Sequence, residues 1–150
     1  MEGIDAIIST LGGRPRQPTT VYSHGLATIE QAMRSTGTRR LITLSAGALD
    51  LGPQVPLFQR IVTQLVVRMF FRDGYADMAK MEAALRTNDL DWTVVRVPGL
   101  TNKTAAATPY RVSQAPLDRP STISRADLAS YLVSILDSPT TYRKVLEISR

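Results

Sequence analysis

The sequence predicts an α/β domain built on an open, mainly parallel sheet. Two patterns carry that expectation. An apolar, β-branched run ending in small or hydroxylated residues, then a helix, recurs three times. The runs are Ile4–Ile8 into Ser9-Thr10-Leu11-Gly12-Gly13, Leu41–Leu44 into Ser45-Ala46-Gly47, and Trp92–Val97 into Pro98-Gly99. Strands alternating with helical patterns form parallel β-α-β units. The small residues fall where open parallel sheets bind ligands, just beyond the carboxyl ends of their strands, and they let a ligand approach the backbone. An absence is equally informative: no G-x-G-x-x-G turn follows any strand, so the usual backbone cradle for a pyrophosphate is missing.

The elements follow in order. Residues 4–10 are apolar on both faces, as in a central parallel strand. The stretch 14–20, with Pro15 and Pro18, is a loop. A helix over about 20–36 shows Leu26, Ile29 and Met33 on one stripe with Ala32 beside them, and Gly37 suits the left-handed stop. A strand over 40–44 leads into a loop through Gly47, Gly52, Pro53 and Pro56. Residues 57–71 are apolar nearly all round, too short and too polar for a membrane span. They predict a buried helix or one at a subunit contact. Asp73-Gly74 is expected to break it. A second helix over about 75–87 turns Met78, Met81 and Leu85 inward and leaves Glu82–Arg86 as a surface pair. The third strand follows Asn88–Asp91. Residues 99–122, with Pro109, Pro116 and Pro120, form an irregular excursion of the kind that covers a pocket, with a short strand at Tyr110–Val112. Ser124 and Asp127 make a capping-box variant for a helix carrying Leu128, Tyr131, Leu132, Ile135 and Leu136, ended by Pro139. Lys144–Ile148 is a final strand.

Composition narrows the function. The 150 residues fit a single domain, 1–150, with a genuine core. There is no cysteine and one histidine, His24, which excludes disulfides and thiolate chemistry and argues against zinc. The start, Met1–Asp5, shows no secretory pattern, which favours the cytoplasm. The net charge of +5 comes from scattered arginines without interleaved stacking aromatics, so neither nucleic acid nor a membrane is an expected partner.

Several motifs together resemble a known family. Residues 75–85 (YADMAKMEAAL) followed by 90–101 (LDWTVVRVPGLT) are similar to the atypical short-chain dehydrogenase/reductases. The closest set is the NmrA-like, biliverdin reductase B-like, NAD(P)H-binding group. Ile7–Gly12 resembles that family's fourth strand, Arg39–Ser45 its fifth, and Ile123–Ala129 the opening of its late helix. The resemblance implies a Rossmann-type sheet lacking the first β-α-β-α-β portion, either through a late start or through truncation. That portion supplies the pyrophosphate cradle and the residue that reads the ribose.

The resemblance implies NADP or NAD as cofactor, NADP slightly favoured, and hydride transfer to a small-molecule acceptor. Ser9, Thr10, Leu11 and Gly12 would line the adenosine-to-ribose side. Ser45 would be the catalytic hydroxyl near the nicotinamide, and Pro98, Gly99, Leu100 and Thr101 would border nicotinamide and substrate. The family's Tyr-x-x-x-Lys pair is absent: Tyr75 has Ala79 at i+4, and Lys80 at i+5 lies about 140° around the helix. Arg14 and Arg16 stand as loop residues or as contacts to a cofactor phosphate, and His24 as a surface histidine. Two other readings stay open: an NmrA-like regulator that binds dinucleotide without turnover, and an inactive fragment. With its usual neighbour missing, Ile4–Ile8 would present an unpaired apolar edge and drive self-association.

Overall fold

Four parallel strands carry the molecule, and the helices take both faces of their sheet. The structure, a computed structural model, describes residues 3–14, 17–47, 56–104 and 109–150, with the side chains at 59, 66–68 and 70 outside that description. Pro15, Arg16, Gly52 and Pro53, and the side chains of Val66 and Phe70, therefore lie outside the described residues. In chain order the elements are β1 (Ala6–Ser9), α1 (Val21–Thr36), β2 (Arg40–Ala46), α2 (Leu57–Phe70), α3 (Arg72–Thr87), β3 (Asp91–Val97), β4 (Leu100–Thr101), β5 (Arg111–Ser113), β6 (Ile123–Ser124), α4 (Arg125–Ser134), a 3-10 turn (Pro139–Thr141) and β7 (Lys144–Ser149).

The main sheet runs β1-β2-β3-β7-β5. β1, β2, β3 and β7 are parallel, with Ile7 opposite Leu41, Ser45 opposite Arg96 and Val95 opposite Leu146. β5 closes the far edge antiparallel to β7. The expected mainly parallel α/β fold is therefore what forms. β1 is shorter than the expected 4–10. Its two apolar faces suit a central strand, but with no neighbour beyond it among the described residues it lies at the sheet edge, as expected for Ile4–Ile8.

Side-chain alternation sorts the core into two layers. On one face Leu41, Trp92 and Val94 meet Leu26 and Met33 of α1 and Met81 and Leu85 of α3. On the other, Ile42, Val95, Leu146 and Ile148 meet Leu128, Tyr131 and Leu132 of α4. Each such side chain taken from water contributes about 1.5–3 kcal/mol. α1 ends as the sequence predicts, with Gly37 left-handed at φ 72°. α4 begins as predicted too: Ser124 Oγ accepts from Asp127 N at 3.0 Å. It ends at Ser134, short of Pro139, which instead starts the 3-10 turn.

Two helices bear on expectation. α2 is not buried within the chain: Leu57, Phe58, Ile61, Leu65 and Met69 are all more than half exposed, which leaves the other expected arrangement, a subunit contact. Its residues are apolar, but no described element covers that face. Asp73-Gly74 does not break the chain either. The boundary falls at Phe71, and both residues sit in the first turn of α3, where Tyr75 N donates to Phe71 O at 2.9 Å. An aspartate is favourable at a helix start, and a glycine is tolerated there. The excursion after β3 mostly leaves the ligand side. Leu100–Thr101 pairs with Ile123–Ser124, and Arg111–Ser113 joins the opposite sheet edge.

Candidate functional site

A cavity of about 880 Å³ opens beyond the carboxyl ends of β1, β2 and β3. The loop after β1 supplies Thr10 to Arg14, the end of β2 supplies Leu44 to Ala46, and the end of β3 and the chain after it supply Val97, Pro98 and Leu100. The α2–α3 junction forms a further wall through Met69, Phe71 to Tyr75, and Met78, and Gln17, Thr19 and Tyr22 complete the lining. The Phe71 and Tyr75 rings lie 6.3 Å apart and tilted. The size is ordinary for a small-molecule or cofactor site.

Of the residues expected to bind cofactor or substrate, Thr10, Leu11, Gly12, Ser45, Pro98 and Leu100 come together on this cavity. Ser9 is buried beneath it, in a narrow crevice with Leu41 and Met81, because the strand's alternation turns it into the core. Gly99 and Thr101 do not border it. Gly99 O accepts from Ile123 N at 2.9 Å, and Thr101 pairs with Ser124, so the β4–β6 ladder draws both away. Arg14 is exposed at the rim, and Arg72, which the sequence did not single out, lies there too. Arg16 is outside the described residues. His24 and Lys80 are exposed and off the cavity.

Beside Ser45 lies a charged cluster that no motif announced. Glu82 of α3 is 2% exposed. Its Oε1 accepts from Arg96 Nε at 3.0 Å, and its Oε2 accepts from Arg96 Nη2 at 2.8 Å and Arg86 Nη2 at 3.1 Å. The expected Glu82–Arg86 surface pair is thus only its outer half: the glutamate itself is buried against β3. Burial alone would raise the Glu82 pKa. The hydrogen bonds from Arg96 and the neighbouring Ser45 hydroxyl, then the charges of Arg96 and Arg86, more than offset it and hold the carboxyl below its ordinary range. Ser45 Oγ sits beside this carboxylate but stops short of a closed hydrogen bond, and it has no other partner among the described residues.

Tyr75 borders the cavity. Burial, and then the neighbouring Tyr22, push its phenol above the usual value, so it remains a neutral donor at pH 7. Tyr22 OH accepts from Gly13 N at 3.0 Å and fixes the loop after β1.

The amino terminus of α1 would be the natural anion site here. It is already taken. Asp77, reaching across from α3, accepts from Tyr22 N at 2.9 Å and Ser23 N at 3.2 Å, and from the Ser23 hydroxyl. Thr20, at the N-cap position, makes no side-chain cap. The start of α1 is therefore closed to an anion, and the helix start that lines the cavity, that of α3 at Arg72 to Tyr75, carries Asp73 in its first turn. Among the described residues no cluster of metal-ligand side chains occurs, and no helix is long and apolar enough to cross a membrane.

Comparison with known proteins agrees with this fold. The model of a family described as NAD(P)H-binding matches residues 1–139. A curated relative, UPF0659 protein C216.03 of Schizosaccharomyces pombe, is 30% identical over 109 residues, covering 66% of this chain and 44% of the relative. Two solved structures superpose over nearly the whole chain. A candidate NAD-dependent epimerase/dehydratase from Bacillus halodurans has TM-score 0.73 at 23% identity, covering 98% of this chain and 64% of that one. A short-chain dehydrogenase/reductase from Veillonella parvula in complex with NADP has TM-score 0.76 at 16% identity, covering 99% and 64%. The chain spans under half of the curated relative and under two-thirds of each of these structures.

Proposed function

Because this chain belongs to the NAD(P)H-binding family, we propose that it is a dinucleotide-binding oxidoreductase of the short-chain dehydrogenase/reductase type. The observation that carries the reading is the cavity of about 880 Å³ at the ends of three adjacent parallel strands, with the buried, unpartnered Ser45 hydroxyl at its floor. A bound nicotinamide would supply the hydride, and this chain's residues position the reactants. Pro98 and Leu100 border the ring, Thr10 to Gly12 the ribose side, Ser45 orients the ring or the acceptor, and Tyr75 offers a neutral hydroxyl. Arg14 and Arg72 at the rim suit the phosphate-bearing side of the ligand.

The same geometry sets the affinity. The pyrophosphate normally gains several charge-assisted hydrogen bonds, each about 1.5–3 kcal/mol, from a helix terminus. Here Asp77 occupies the start of α1, and the start of α3 on the cavity wall carries the like-charged Asp73. Titrating the chain with NADPH should show saturable binding in the millimolar range. A dissociation constant below about 10 μM, or ~7 kcal/mol, would overturn the argument about the missing cradle. No saturation at all would favour the fragment reading. NADPH turnover with a quinone or flavin acceptor separates an enzyme from a regulator that binds dinucleotide without reaction. Within an intact site, Ser45→Ala should lower turnover more than affinity, and Lys80→Ala should change neither. Equal, small effects of both would remove Ser45 from the site.

A further inference from the structure

A carboxylate can only accept hydrogen bonds, and its two oxygens offer about four lone-pair positions. The Arg96 and Arg86 nitrogens fill three of those on Glu82. Next to this carboxylate, opposite Arg96 in the sheet, lies Ser45 Oγ, buried at the cavity floor and without a hydrogen-bond partner among the described residues. A serine hydroxyl has one proton and two lone pairs. The arginines cannot accept that proton, because guanidinium has no acceptor. The neighbouring acceptor that can take it is the Glu82 carboxylate.

We propose that Glu82, locked in place by Arg96, polarises Ser45 so that its proton points inward and only its lone pairs face the cavity. The site then selects a ligand group that carries an N–H or O–H donor, and it does not donate to a carbonyl. This inference rests on the dinucleotide reading, and there the matching donor is the primary carboxamide of a nicotinamide ring. Glu82 is a positioning residue: it acts through Ser45. Register supports the arrangement, since Ser45 lies opposite Arg96 in the β2–β3 ladder, and the alternation of both strands turns the pair to the α3 face.

The test compares NADP with its 3-acetylpyridine analogue, whose acetyl group keeps the carbonyl and loses the N–H donor. Ligand-observed NMR titration of the full chain measures both affinities in the millimolar range. Wild type should prefer NADP by about five- to tenfold, the worth of one hydrogen bond. Ser45→Ala should bring the ratio to about one, and Ser45→Thr should keep the preference. Glu82→Gln should also bring it to about one, because the new amide can donate to Ser45 Oγ and turn the serine proton toward the cavity. Should Glu82→Gln fail to fold after losing its Arg96 pairing, the Ser45 pair of variants decides alone. Equal binding of both nucleotides to wild type overturns the Glu82–Ser45 arrangement while leaving the dinucleotide reading intact. Absence of binding by either nucleotide overturns the dinucleotide reading and this inference with it.

Discussion

Asp77→Ala removes the group that closes the amino terminus of α1. Its carboxylate is 2% exposed and accepts two backbone N–H bonds and one hydroxyl bond from Tyr22 and Ser23. Losing an ordinary N-cap costs about 0.5–2 kcal/mol. Here three donors lose a buried, charged acceptor, and the expected loss is about 2–3 kcal/mol. For a chain of this length that corresponds to a fall of ~5–10 °C in Tm. Asp77→Asn keeps one acceptor oxygen and should lose about half as much. Burial alone would raise the Asp77 pKa, but the Ser23 hydroxyl, the Ser23 and Tyr22 amides and the charge of Lys80 bring it below its ordinary value. A depressed folded pKa means that the ionised form's contribution is complete above the unfolded aspartate value of about 3.9 and is lost as pH falls through the folded value. Urea unfolding of wild type and Asp77→Ala should therefore show the largest gap at pH 6–7 and a smaller one near pH 3. The opened helix terminus should also make inorganic phosphate stabilise Asp77→Ala more than wild type. A gap below about 0.5 kcal/mol, the range of an ordinary surface substitution, would refute the capping argument.

Arg40 is buried beneath the opposite end of the sheet, donating to Leu136 O, Asp91 O and Ile135 O, each at 2.8 Å, and to Thr93 and Thr141. Arg40→Met should cost about 3 kcal/mol or more by orphaning these carbonyls, and Arg40→Lys should restore little, since a point ammonium cannot span them; thermal unfolding measures both. The β1 edge, with no strand beyond it among the described residues, is expected to drive self-association. Ile7→Lys should reduce it in light scattering, at some cost in stability because Ile7 packs on the Leu41–Met81 core. A stable monomer across a wide concentration range would refute that expectation.

Much of this architecture follows from the sequence alone, because local signals were unopposed. The β-branched runs, the Gly37 stop, the Ser124–Asp127 cap and the Leu26–Met33 stripe each depend on neighbours within a turn or two, and each forms where expected. The small residues after three strands likewise placed Thr10, Leu11, Gly12, Ser45, Pro98 and Leu100 on one cavity, since parallel strands bring their carboxyl ends to the same edge. Tertiary structure decided what depends on distant partners. Nothing in the sequence marks Asp77 until α3 packs against α1 and brings it to Tyr22 and Ser23. Glu82 reads as half of a surface pair until β3 sets Arg96 opposite Ser45. α2 has the composition of a buried helix, yet burial needs a covering element, and no described element supplies one. Gly99 and Thr101 carry the pattern of a ligand loop, but backbone pairing with Ile123 and Ser124 takes them elsewhere. Periodicity fixes which residues share a face; only the packing of remote segments determines what that face meets.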